Sequence, residues 1–270
     1  MPIPTEEELI QAACHFGHPK QKWNPKIAPL LYGTRKGIHI FDLTQTRSHL
    51  EKVCAELAEL QKAGKVILFV STKQQAIPLI EDMGRTTGQL TVTKRWLPGL
   101  LTNWGTMRKR LQYYIDLQHS FQTGEVTKYT KKEQTQLRKQ LTKLDAALSG
   151  VARMKGLPDA VFVVDAVHNH VTVLEAKKMH IPLYGICDSN ANPDEFTTFI
   201  PANDDAMKSI TLILNTVRNV LVEAKEEQTK ENEKTAEALR HPDSRLRDES
   251  EPHRAALEQD GSVLSGPITQ

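Results

Sequence analysis

Three cysteines in 270 residues, Cys14, Cys54 and Cys187, are too few and too widely spaced for a disulfide framework. Their odd number points to a reducing compartment. No apolar run approaches the roughly 20 residues that cross a bilayer. The opening residues, MPIPTEEELI, lack the basic start and apolar stretch of a signal peptide and are too acidic for a transit peptide. Neither G-x-x-x-x-G-K-[ST] nor a G-x-G-x-x-G after a strand is present, which argues against a nucleotide cofactor. A G-x-S-x-G elbow is missing too. Cys187 ends an apolar run with no activating base in view and reads as a buried, inert thiol. No internal repeat is visible.

Acids are scarce in one place. Lys94 to Lys143 holds eleven Lys and Arg against three Asp and Glu, a balance of +8. The whole chain carries only +2, because residues 223–270 hold twelve acids and seven bases. Residues 1–222 therefore carry +7, and the whole of that excess lies in this one segment. That concentration points to a polyanionic partner, set against the plainer reading of a solvated helical face.

Thr5 and Glu8 form a capping box for a first helix to about Cys14. HFGHPKQKWNPKIAPLLYG reads as an irregular arm with little regular structure, because Pro, Gly and Asn dominate it. GIHIFD is a short strand. Leu50, Val53, Cys54, Leu57 and Leu60 recur at helical spacing, and Gly64 closes that helix. KVILFVS is a strand buried on both faces. The helix after it carries Pro78 as a weak point. Asn103–Ser120 and Thr130–Leu148 are basic amphipathic helices joined at Gly124, which predicts a helical hairpin. DAVFVVDA and IPLYGICD are further strands, and a long apolar-faced helix follows NDD. Alternating strands and helices predict an α/β fold with a mainly parallel sheet. The expected domains are residues 1–102 with 150–225 for the sheet, 103–149 for the inserted hairpin, and 226–270 for a flexible, disordered, charged tail.

Three groups of residues carry chemistry. In TKRWLPGLLTNWGTMRKR, indole faces suit unpaired bases and the cations suit phosphates. Gly99 and Gly105 would bring backbone near a phosphate chain. Each ring taken alone reads as packing, so the rings fix the loop's shape and the bases do most of the binding. Ser71-Thr72-Lys73 turns from strand to helix and could offer N–H donors to a backbone phosphate, although a plain helix cap explains it too. His15, His18, Asp165, His168, His170, Asp188, Asp194, Asp204 and Asp205 fall near strand ends, which converge in such a sheet. They would bind zinc or activate water, or serve only as turns and caps.

Assembled, these blocks resemble one family. HFGHPKQKWNPKIAPLLYGTRKGIHIFDLTQT, KVILFVSTKQQA, KRWLPGLLTNW and the run from GLPDAVFVVDAVHNH to FIPANDDA are similar, in order, to ribosomal protein two of the bacterial-type small ribosomal subunit. The likeness covers roughly residues 5–225. It implies a flavodoxin-like three-layer sandwich with a protruding coiled-coil hairpin. It also implies a cytoplasmic or organellar small-subunit protein, not an enzyme, with no membrane and no small-molecule substrate. Its partners would be small-subunit rRNA and neighbouring ribosomal proteins, including ribosomal protein one. The RNA-facing residues would be Lys20, Lys22, Trp23, Lys26, Arg35 and Lys36 on the arm, and Lys94, Arg95, Trp96, Asn103 and Trp104 on the loop. Lys73, Arg108 and Lys109 join them from the reading of the residues. No cofactor is implied beyond a structural zinc on His18, Asp188, Asp204 and Asp205. Lys94 stands where the family often has His, Pro98 where it usually has Gly, and Ser71 where Gly is common. Rivals from other classes are a metal-dependent hydrolase using Asp165, His168 and His170, and a scaffold whose basic hairpin grips an acidic protein.

Overall fold

The structure is a computed structural model that describes residues 3–240, with side chains through residue 230. Among the described residues, those through Gln228 form one compact unit. The predicted tail lies outside the described residues beyond Arg240.

Helix α1 (Glu6–Gln11) starts on the expected capping box: the Glu8 N–H donates to the Thr5 hydroxyl, and the Thr5 N–H donates to the Glu8 carboxylate at 2.8 Å. It stops three residues short of Cys14. The arm is more regular than its composition predicts. Strands β1 (Phe16–Pro19), β2 (Leu31–Arg35) and β3 (Ile38–Phe41) form an antiparallel sheet in the order β1-β3-β2. Lys36 and Gly37, both with positive φ (51° and 80°), make the two-residue turn from β2 to β3. Such turns match the twist of the strands they join. Asp42 then caps α2 (Leu43–Lys62), its carboxylate accepting from the Thr44 N–H.

Five parallel strands follow: β4 (Ile67–Val70), β5 (Leu90–Val92), β6 (Ala160–Val164), β7 (Leu183–Cys187) and β8 (Thr198–Pro201). Their order is β5-β4-β6-β7-β8. Counted from the first strand of the sheet this is 2-1-3-4-5, the flavodoxin-like order. Successive strand residues point to opposite faces, so two cores form. Leu68, Val70, Val161 and Val163 enter one; Ile67, Phe69, Phe162 and Val164 enter the other. Helices α1, α2, α3 (Ile77–Thr87) and α7 (Met207–Arg240) contribute to the second core. Helices α4 (Trp104–Gln122), α5 (Lys131–Leu148) and α6 (His170–Lys178) contribute to the first. That is the expected three-layer sandwich. Pro78 is no weak point, because α3 begins at Ile77 and the ring sits in its first turn, where an N–H has no helical partner to lose.

Helices α4 and α5 pair antiparallel. The Tyr114 hydroxyl donates to Asp145 at 2.7 Å, and Arg138 lies over the Phe121 ring at 5.8 Å. As α4 advances its partners on α5 recede, which is the signature of a hairpin. The chain re-enters the sheet at Gly150, where a Cβ would sit 2.1 Å from the Thr91 carbonyl oxygen of β5. Gly150→Ala must push this junction apart, and we expect a loss of about 1–3 kcal/mol by urea unfolding. An unchanged midpoint would show that the contact carries no strain.

Candidate nucleic-acid interface

One carboxylate anchors the loop between β5 and α4. Glu175 projects from α6 and is 7% exposed. Its Oε1 accepts from the Trp96 indole N–H at 3.0 Å and the Gly99 N–H at 2.7 Å. Its Oε2 accepts from the N–H groups of Leu101 (3.0 Å) and Thr102 (3.1 Å) and from the Thr102 hydroxyl (3.2 Å). Burial alone pushes the Glu175 carboxyl up. The indole and the three backbone donors together outweigh burial and hold it below the usual glutamate range.

The loop therefore turns its backbone donors inward. The Gly99 N–H, expected near a phosphate, serves Glu175 instead. Trp96 is buried and Trp104 half-buried against the core. The cations go the other way: Lys94, Arg95, Arg108, Lys109 and Arg110 are exposed, as is Asn103 at the start of α4.

On the arm, Lys20, Lys22, Arg35 and Lys36 are exposed, and Lys26 pairs with Asp194. Trp23 stacks on the buried His39, ring centroids 4.6 Å apart. The loop after β7 holds the arm in place. The His18 N–H donates to the Ser189 hydroxyl and the Asn24 N–H to the Ser189 carbonyl, both at 2.7 Å. Gly17 is needed there, since a Cβ would meet the Ser189 Oγ at 2.7 Å.

A second cluster gathers at the carboxyl ends of the sheet strands. Lys73 Nζ lies 3.0 Å from Asp165, 3.0 Å from Asp204 and 2.7 Å from Asp205. Burial alone would lower the Lys73 ammonium; the surrounding carboxylates reverse that and raise it. Lys73, expected among the RNA-facing residues, is thus surrounded by its own protein's acids. His18 bridges Asp188 (3.1 Å) and Asp205 (3.3 Å), and the Asp188 carboxylate raises its imidazole above the usual value against the pull of burial. Burial, then the charges of Asp188 and Asp165, push Asp204 up to about 7 despite Lys73.

His18, Asp188 and Asp204 each bring a ligand atom within 4.8 Å of the others, and Asp204 Oδ2 is buried with no hydrogen-bond partner. Asp205 approaches from the rim, and neither His168 nor His170 belongs to this group. Asp165 accepts from the His168 backbone N–H and pairs with Lys73, so the hydrolase alternative has no assembled centre. Cys187 is buried and unbridged, its thiol raised by burial.

Residues 9–224 match the family described as Ribosomal protein S2. The chain belongs to the ribosomal protein S2 family. Curated relatives carry the name small ribosomal subunit protein uS2. That of Azobacteroides pseudotrichonymphae is 40% identical over 82% of this chain and 85% of its own, and that of Rhodospirillum rubrum 42% over 78% and 81%. Rhodomonas salina uS2c is 42% identical over 83% and 92%. Membership of the S2 family makes the chain a structural component of the small ribosomal subunit, acting in translation and not as an enzyme. Among the described residues no helix is long and apolar enough to cross a membrane.

Sequence reading missed Glu175. Its one available signal was a carboxylate beside the inward residues Thr172, Val173 and Ala176 of a short helix. Glu175→Gln places an amide among five donors, and we expect a loss of about 3 kcal/mol at neutral pH. The folded value lies below the unfolded one, so the carboxylate's contribution is complete above the ordinary glutamate value and fades as pH falls through the depressed one. Urea unfolding against pH should show a shallower acid limb in the variant; equal stability at pH 7 with an unchanged limb contradicts the anchor.

Proposed function

We propose that this S2-family chain binds small-subunit ribosomal RNA through exposed cations on the arm, the tryptophan loop and the hairpin, carried by a passive sheet core. The supporting observation is the orientation of the loop. Its backbone donors and the Trp96 indole turn inward on Glu175 and Trp104 packs against the core, while Lys94, Arg95, Arg108, Lys109 and Arg110 are exposed in the segment that holds the whole positive excess of residues 1–222. Lys20, Lys22, Arg35 and Lys36 extend the set onto the arm. Trp96, Trp104 and Trp23 shape the surface rather than touch RNA. Lys73 is left out of the contacting set for the reason given above.

Each phosphate contact releases counterions, so affinity falls steeply with salt. Replacing Arg95, Arg108 and Lys109 by Gln should weaken binding to small-subunit rRNA and flatten the salt slope by about 2–3. An unchanged slope in a filter-binding titration would remove this site.

The family resemblance also supports a role in docking ribosomal protein one, to be tested by whether particles rebuilt without this chain fail to retain it on a sucrose gradient. A structural zinc is the accompanying reading. Four carboxylates, Asp165, Asp188, Asp204 and Asp205, share the two cationic side chains Lys73 and His18 at the end of the sheet, and the orphaned Asp204 oxygen beside the His18 ring suits a nitrogen-and-oxygen donor set. Metal analysis of purified protein should find zinc in wild type and none in Asp204→Asn. A metal-free wild type ends this reading without touching RNA binding.

A further inference from the structure

The edge of the sheet at β5 has cations at both of its ends. β5 is an outermost strand, and Thr93, Lys94 and Arg95 follow it. The residues before it, Gly88 and Gln89, lie beside the chain that returns from the hairpin, Arg153 to Leu157. Two cavities follow this edge. One, of about 290 Å³, runs from Thr93 past Thr91 and Gly150 to Gln89 and Arg153. The next, of about 210 Å³, begins at those same two residues and reaches Val66 and Leu157.

The second cavity is an apolar cup. Leu90 and Met154 are buried in its wall, and Val66 and Leu157 are each 38% exposed there. The Gln89 side chain is committed to the interior. Its Oε1 accepts from the Ile67 N–H at 2.7 Å, and its Nε2 donates to Gln61 and to the Lys65 carbonyl. The cup therefore takes a flat apolar group by shape and not by hydrogen bonds from Gln89.

Charge selects what that group is attached to. Asp159 accepts from Lys65 and from the Val66 N–H, Asp82 pairs with Arg85 and Arg218, and Glu81 accepts from Thr93. These acids each have a partner. The side chains of Arg153 and Lys155 are exposed and have none among the described residues. Residues 150–158 hold these two cations and no acid. An apolar cup beside two unpaired cations fits an aromatic ring that carries a phosphate, which is a nucleotide. A peptide strand fits less well, because Gly150 closes on the Thr91 carbonyl and leaves no room there to extend the sheet.

We propose that the edge of β5 carries a single RNA strand on from the tryptophan loop, with one unpaired base seated among Val66, Leu90, Met154 and Leu157 and its phosphates on Arg153 and Lys155. Single-stranded RNA offers such unstacked bases, and an arginine plane also receives them. β5 spans only about 10 Å, so one short strand of RNA reaches the cations at both ends. This rests on the RNA-binding reading and adds to it a contact on the far side of the hairpin root.

The test uses full-length protein with labelled Val, Leu and Met methyl groups. The probes are a single-stranded oligo(A) of about 12 nucleotides, a blunt RNA duplex of the same length, and an oligoglutamate. Oligo(A) should shift the methyl signals of Val66, Met154 and Leu157; the other two should leave them in place. In filter binding to small-subunit rRNA, Arg153→Gln combined with Lys155→Gln should lower the salt slope by about 1.4, the value for two single-strand contacts. Leu157→Ser should weaken oligo(A) binding about 4- to 15-fold, the weight of one or two buried methylenes, with the slope unchanged. Leu157→Met keeps an apolar side chain of similar volume and should match wild type. All three positions are exposed, so thermal unfolding of the variants should match wild type. Unmoved methyl signals with oligo(A), or an equal response to the duplex or to oligoglutamate, overturns the proposal; the last would assign the site to an acidic protein. If the double variant keeps the wild-type slope while replacing Arg95, Arg108 and Lys109 flattens it, only this site falls. If neither set changes the slope, the RNA-binding reading falls with it.

Discussion

A single buried carboxylate sets the shape of the basic surface. Glu175 joins helix α6, which belongs to the sandwich, to the loop that launches the hairpin. Five donors converge on two oxygens, so the loop between β5 and α4 has one low-energy arrangement. Its cations need no inner partner of their own and are left for solvent. The arm obeys the same logic by other means: Ser189 offers its hydroxyl and its carbonyl to two points of the arm, and the stacked Trp23 and His39 fill the space behind it. In both places neutral or anionic groups do the holding, and positive charge is kept for the outside.

The end of the sheet is where a flavodoxin-like order usually receives a ligand, at the switch between the first and third strands. Here that crevice is filled from within. Lys73 leaves the end of β4, Asp165 leaves the end of β6, and they meet at 3.0 Å with Asp204 and Asp205 closing over them. The fold thus keeps the architecture of a ligand-binding domain while its usual opening is occupied by the protein's own charges. The exposed cations sit instead on the parts added around the sandwich, the arm and the hairpin.

Much of this was readable in the residues. Apolar strand runs such as KVILFVS and DAVFVVDA, alternating with helical spacing, specify a parallel sheet before any coordinates exist. The two basic helices about Gly124 specify a hairpin. What escaped reading depends on long-range partners. β1 is four residues of a Gly- and Pro-containing segment, and it becomes a strand only because β3 lies beside it. Glu175 looks like one more helical glutamate until the loop 76 residues earlier folds over it. Lys73 reads as an anion-site lysine because its acids come from two distant segments. Local pattern carries propensity and periodicity; it carries no record of which buried charge meets which.

Helix α4 has 19 residues, so the hairpin it begins extends about 28 Å. At physiological ionic strength charges stop sensing one another beyond about 8 Å. Arg108, Lys109 and Arg110 near its root and Lys128, Lys131 and Lys132 near its tip are therefore electrically independent. They are coupled only by a stiff two-helix rod, which makes the insertion a ruler: it fixes the spacing between two groups of cations that have no other connection.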